Sequence, residues 1–288
     1  RAALVEGDWD GKLPFFVHNR KLIAEIEKLE HKIRRPDLLI HAGDLAHCAA
    51  GEWKPALDEL ARAFPGVPLH LLPGNHDYCG GTLEDGMLAL TAAAQGAAFA
   101  QKSVILTGGA RILTCTLWTD FAMWGEDARD QAMERATWIM PEYAAVQHPQ
   151  TGDLIRPADL VAMHRDHLNW LEKQLAEDFD GPTIVVTHHC PHPSAAGPAD
   201  LVSAAFASDL SETIQRFQPA AWLFGHTHRP LSAQVGRTLV HNVSLGYPDE
   251  AGDDIAARLS RGLIEIGDDG SVRVGGIACG QDAESLGV

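Results

Sequence analysis

Four short apolar runs in this sequence each stop at residues that can bind a cation or move a proton. Residues 69–78 read Leu-His-Leu-Leu-Pro-Gly-Asn-His-Asp-Tyr, ending the run at Asn75, His76 and Asp77. Residues 37–44 end in Gly43-Asp44, residues 182–189 in His188-His189, and residues 221–228 in Gly225-His226-Thr227-His228. Carboxylate, amide oxygen and imidazole together suit divalent cations of intermediate hardness. Asn75 offers an oxygen ligand and His76 a proton donor, with Asp77 a carboxylate able to fix the neighbouring ring. A Gly-Asn-His-Asp run alone also fits an ordinary Asx turn. The recurrence of the same punctuation argues for chemistry instead.

Such residues need elements that bring them to one place. Short apolar runs bounded by Gly or Pro read as buried strands, and open α/β sheets place their chemistry on the loops after the strands' carboxyl ends. Residues 2–6 fit the same pattern and deliver Asp8 and Asp10. Leu22, Ile26, Leu29 and Ile33 predict an amphipathic helix ended by Pro36, so strand, helix, strand gives a parallel crossover unit. Residues 55–64 predict a second helix, with Pro55 in its first turn. Residues 104–106 and 112–117 predict a hairpin about Gly108-Gly109; residues 92–100, rich in alanine, have no evident assignment. Residues 118–157 lose the pattern and read as a partly helical insertion that could roof the site.

Leu160, Leu168, Leu171 and Leu175 share one face of a helix over 159–175, on which His164 and His167 read as surface residues. Beyond it come a strand at 183–186, a helix at 209–217 and a strand at 221–224. Hairpins are predicted over 231–243 and 263–274, then a loose tail over 280–288.

The 288 residues carry a formal net charge of -16, with 45% hydrophobic and 22% charged residues. That is ordinary globular composition; the acidity argues against a nucleic-acid surface and an anionic membrane. Five scattered cysteines indicate neither a disulfide framework nor a zinc ribbon, and a cytoplasmic location is the expectation. Oligomeric state is not indicated.

Taken in order, Asp8-Trp9-Asp10, Gly43-Asp44, Gly74-Asn75-His76-Asp77, His188 and Gly225-His226-Thr227-His228 resemble the motifs of the calcineurin-like metallophosphoesterases. The resemblance spans residues 8–228. It implies an α/β fold of two mixed β-sheets packed as a sandwich flanked by helices, as one domain over 1–288. It also implies two divalent metal ions and hydrolysis of a phosphate ester by a metal-bridging hydroxide. Asp44 would bridge the metals, Asp8 and His228 would hold the first, and Asn75, His188 and His226 the second, with His189 an alternative to His188. His76 would protonate the leaving oxygen, its tautomer held by Asp77.

Asp10 departs from the pattern, since most of the family has His there. Gly-Asp-Trp is also similar to purple acid phosphatases, but the Tyr they place three residues after the bridging Asp is here His47. Asp10 is either a direct oxygen ligand or a carboxylate behind the ligands, while His18, His47 and His241 are further substitutes. A carboxylate in place of imidazole favours Mn²⁺, with Fe or Zn as alternatives. The expected substrate is a small phosphate ester, a phosphodiester slightly favoured over a monoester. The competing reading from another class is an inactive protein-binding scaffold of the same fold.

Overall fold

Every residue of Leu38–Ala42 (β2) is buried, which explains why this segment is apolar at every position but His41 rather than alternating. Leu38, Ile40 and Ala42 point into one core cluster and Leu39 into another, so the strand is covered on both faces. The structure, a computed structural model, describes residues 2–6, 35–46, 49–246, 250 and 255–280. The helix expected over 22–33, together with Asp8, Asp10, His18 and His47, lies outside them.

Two sheets carry the fold. In the first, Ala2–Glu6 (β1), β2, Leu69–Leu72 (β3) and Ala98–Phe99 (β4) run parallel in that order. Leu263–Ile266 (β11) pairs antiparallel with β1 and is followed outward by Val272–Val274 (β12) and Ile277–Ala278 (β13). The second sheet has the order Ser103–Thr107 (β5), Ala110–Cys115 (β6), Thr183–Thr187 (β7), Ala221–Phe224 (β8), Thr238–Asn242 (β10), Ser232–Val235 (β9). Its members β6, β7, β8 and β10 are parallel, with antiparallel hairpins at both edges.

Leu38, Ile40 and Leu72 from one sheet meet Ile112, Ile184, Val186 and Leu223 from the other, the interior of the expected sandwich. On the outer faces lie the helices Ala49–Ala63 (α1), Gly86–Ala94 (α2), Glu126–Ile139 (α3), Glu142–Ala145 (α4), Pro157–Ala176 (α5), Ser211–Phe217 (α6) and Ile255–Arg261 (α7). Trp53, Leu57 and Leu60 of α1 pack on Leu39 and Leu71, while Leu160 and Leu171 of α5 belong to the same outer cluster as Leu113 and Val185.

The hairpin about Gly108-Gly109 pairs Thr107 with Ala110 as expected. Three expectations change. Helix α1 begins at Ala49, so Pro55 sits inside it rather than in its first turn. Residues 92–100 become the end of α2 and strand β4. His164 and His167 are buried, not on the surface, because that face of α5 packs on the chain leaving β6. There Leu117 donates its N–H to His167 Nδ1 (3.2 Å), and His164 Nδ1 donates to the Leu117 carbonyl (3.0 Å). These contacts hold Leu117 and Trp118 at φ 72 and 54, a left-handed pair that isolated residues of these types avoid.

Candidate metal centre

Parallel strands emerge at the same edge of their sheet, so β2, β3, β7 and β8 deliver their following loops to one end of the sandwich. Asp44 follows β2, Asn75 and His76 follow β3, His188 follows β7, and His226 and His228 follow β8. Asp44, His226 and His228 adopt positive φ values of 56, 66 and 51, a strain of about 1–3 kcal/mol each that packing must maintain. Gly43 and Gly74 allow the approach: a Cβ on Gly74 would overlap the Asp44 carboxylate, and one on Gly43 would overlap the His188 ring.

The centre is built around His188. Its Nδ1 lies 2.9 Å from the Ala42 carbonyl, which can only accept, so Nδ1 carries the proton. Its Nε2 then faces Asn75 Oδ1 at 3.1 Å, His226 Nδ1 at 3.1 Å and Asp44 Oδ2 at 3.4 Å. With its proton on Nδ1, the neutral ring presents a lone pair at Nε2 toward the two oxygens, and a divalent cation among these atoms would satisfy all of them. Ligand atoms of Asp44, His188 and His226 all lie within 4.8 Å of one another, and His226 Nε2 is buried with no hydrogen-bond partner. These donors fit a divalent metal ion.

Burial would raise the Asp44 carboxyl, but His188, with His76 and His226, holds it well below the usual carboxylate range. Burial drives the His226 and His189 rings the other way, well below the usual histidine range, which keeps them neutral. Of the His188-His189 doublet, His188 meets Asp44. His189 instead turns its Nδ1 to the Thr116 carbonyl (3.3 Å) and lies against the His226 and Trp118 rings, with centroids at 4.5 and 5.2 Å.

The chain brings Asp44, Asn75, His188 and His226 together, while His76 and His228 line the same cavity. His76 gives its backbone N–H to Asp44 Oδ1 (2.9 Å), and His228 Nδ1 meets Glu250 Oε2 at 2.9 Å. Asp77 departs from expectation. Its carboxylate accepts from Gly74 N, Asp44 N, Trp53 Nε1 and Ala46 N at 2.8, 2.9, 2.7 and 3.2 Å, and so ties the β2 and β3 loops together instead of holding the His76 ring. Burial, then the nearby Asp44 charge, raises its carboxyl to about 6. His241 stands apart, buried on β10 with Nδ1 2.8 Å from Ser232 Oγ.

Sequence reasoning missed three residues. Trp53 holds Asp77, and His41 is buried one residue before Ala42, with neither ring nitrogen hydrogen-bonded; burial lowers its ring to about 3. Glu142, in the insertion, accepts from Asn75 Nδ2 at 3.2 Å and so turns Oδ1 toward the centre. No motif marks Trp53 or Glu142, whereas His41 stands out as a lone polar residue within the β2 run.

The insertion does reach the site. A cavity of about 580 Å³ has Asp44, His76, His226 and His228 at its base, with Ile139, Met140 and Pro141 of the insertion and residues from 196–206 on its walls. Trp124 joins the walls by donating Nε1 to the Asp200 carbonyl at 2.6 Å.

Residues 16–230 match the family model described as calcineurin-like phosphoesterase, a match that begins after Asp8 and Asp10. Among solved structures, phosphopantetheinyl hydrolase (PptH) from Mycobacterium tuberculosis is similar in fold, with a TM-score of 0.62 and 19% identity over 86% of this chain and 90% of that one. A candidate 5′-nucleotidase from Staphylococcus aureus superposes with a TM-score of 0.54 and 14% identity over 96% of this chain and 53% of that one. A 40-residue stretch is also 60% identical to the ATP-dependent RNA helicase HrpA of Escherichia coli (strain K12), covering 14% of this chain and 3% of that protein. The chain thus spans a very small part of the curated relatives it matches.

Proposed function

Because the chain belongs to the calcineurin-like phosphoesterase family, we propose that its centre hydrolyses phosphodiesters, with His76 donating the proton to the leaving oxygen. That the protein is a metal-dependent phosphoester hydrolase follows from the family and its donor set. The finer reading rests on the convergence of Asp44, Asn75 and His226 on His188 Nε2. Asp44, Asn75, His188 and His226 would hold one divalent ion. Asp44 and His228, with Asp8 and Asp10 from the amino-terminal segment, would hold the second. Such ions neutralise phosphoryl oxygens and acidify the attacking water.

The chain's own groups do the rest. His76 is tethered through its backbone to Asp44 and lines the cavity, so its ring can reach an ester oxygen on a phosphoryl group seated at that carboxylate. Asp77 keeps the two loops in register through its four N–H donors. A diester has one negative charge fewer than a monoester and is repelled less by a protein of net charge -16. Mn²⁺ is favoured on the oxygen donors of Asp44 and Asn75 with Asp8 and Asp10. We take residues 1–288 as one domain acting in the cytoplasm, a reading that the buried thiols of Cys115 and Cys190, neither in a disulfide, suit.

The test is turnover of bis(p-nitrophenyl) phosphate and p-nitrophenyl phosphate by protein loaded with Mn²⁺, Zn²⁺ or Fe²⁺. The diester should turn over faster, and His76→Ala should lower kcat about 10²–10⁴-fold with metal content unchanged. A loss under tenfold removes His76 as the acid. A faster monoester overturns the diester reading, and no metal-dependent turnover of either overturns the function.

A further inference from the structure

The cavity above the centre is larger than a phosphoryl group requires. About 580 Å³ falls in the range that encloses a whole drug-sized molecule. Its two walls are mostly apolar, Met140 and Pro141 on the insertion side facing Val202 and Phe206, and the Trp124 bridge to Asp200 and Ser203 fixes one wall to the other. Such walls hold a carbon skeleton.

Arg229 breaks that surface. It directly follows His228 and is the one arginine or lysine among the described residues that line the cavity. Its side chain lies along Gly197, where a Cβ would come within 3.3 Å of its Cδ. Among the described residues the guanidinium has no hydrogen-bond or ion-pair partner, whereas Arg258 and Arg261 elsewhere make several such bonds. An unpaired guanidinium at a mostly apolar cavity suits bidentate recognition of a carboxylate or phosphate.

Resting on the hydrolase reading above, we propose that the substrate is an organic phosphodiester whose alcohol has an apolar body seated between Met140-Pro141 and Val202-Phe206 and carries a second anionic group bound by Arg229. The second anion, not the scissile phosphoryl group, is what Arg229 selects. Asp200 and Glu250, which also line the cavity, repel an anion placed elsewhere and so direct it to the arginine.

A matched pair of synthetic diesters tests this: p-nitrophenyl 3-phenylpropyl phosphate and the same compound with a carboxylate on the phenyl ring. Wild-type protein should favour the carboxylate by about tenfold in kcat/KM, mainly through KM. Arg229→Gln should bring that ratio near one, and Arg229→Lys should retain part of it. Calorimetric binding of the non-hydrolysable phosphonate analogues should show the same pattern without turnover. Equal rates for the pair in the wild type, or an undiminished preference in Arg229→Gln, would overturn the proposal while leaving hydrolysis intact. Failure to turn over bis(p-nitrophenyl) phosphate with any metal would remove the hydrolase reading itself, and this inference with it.

Discussion

Glu142 is the residue through which the insertion bears on the metal centre, and replacing it gives a quantitative test. Asn75 is fully buried, and its Nδ2 donates to Glu142 Oε2 at 3.2 Å while its Oδ1 faces His188 Nε2 at 3.1 Å. An ionised carboxylate only accepts, so Glu142 selects the amide orientation that leaves the oxygen for a cation. Burial raises the Glu142 carboxyl, and the Asn75 amide works against that rise. In Glu142→Ala the amide N–H₂ loses its acceptor, a cost of about 1–3 kcal/mol for a buried donor. The amide can recover a partner only by rotating away from the geometry that presents Oδ1. Losing a partner that orients a ligand typically lowers metal affinity about 10–100-fold, equivalent to about 1.4–2.7 kcal/mol. Glu142→Gln keeps an acceptor but exchanges a charged hydrogen bond for a neutral one, so its loss should be about tenfold or less. Titrating Mn²⁺ calorimetrically into metal-free protein should show one site weakened in the order wild type, Gln, Ala. Wild-type affinity at both sites in Glu142→Ala would refute the claim that this carboxylate positions Asn75.

Two further outcomes are expected. Burial lowers the rings of His41 and His167 to about 3 and that of His241 to about 4, against 6.5 when unfolded. The unfolded chain therefore binds more protons below pH 6.5, and stability present above that pH is lost as pH falls toward 3. His241→Gln, remote from the centre, should remove about 2–3 kcal/mol of the drop between pH 7 and pH 4 in urea unfolding; an unchanged pH slope would show that the ring titrates normally in the fold. If Asp10 is a direct ligand, Asp10→Ala should weaken one metal site selectively and Asp10→His should lower the Mn²⁺ preference. Two sites of wild-type affinity in Asp10→Ala would exclude it.

Strand periodicity and strand-end chemistry were legible locally. Residues 37–44, 69–78, 182–189 and 221–228 each announce a strand and its cargo, because a strand covered on both faces favours a mostly apolar run and because the polar residues that follow mark where it ends. Their order along the chain was enough to identify the family and its sandwich. The sequence could not decide what depends on contacts between distant segments. Which of His188 and His189 faces Asp44 follows from the Ala42 carbonyl, contributed by another sheet. Asp77 looked like a partner for its neighbour, but the short turn His76–Tyr78 directs its carboxylate to N–H groups of β2's loop and of α1. His164 and His167 have the spacing of an exposed pair, and their burial is set by the strained Leu117-Trp118 segment packed against them. Glu142 carries no local signal, since its role is a single hydrogen bond across 67 residues of chain. Residue type and period are properties of a segment, whereas orientation, pKa and partnership arise only when tertiary packing excludes water and brings those segments together.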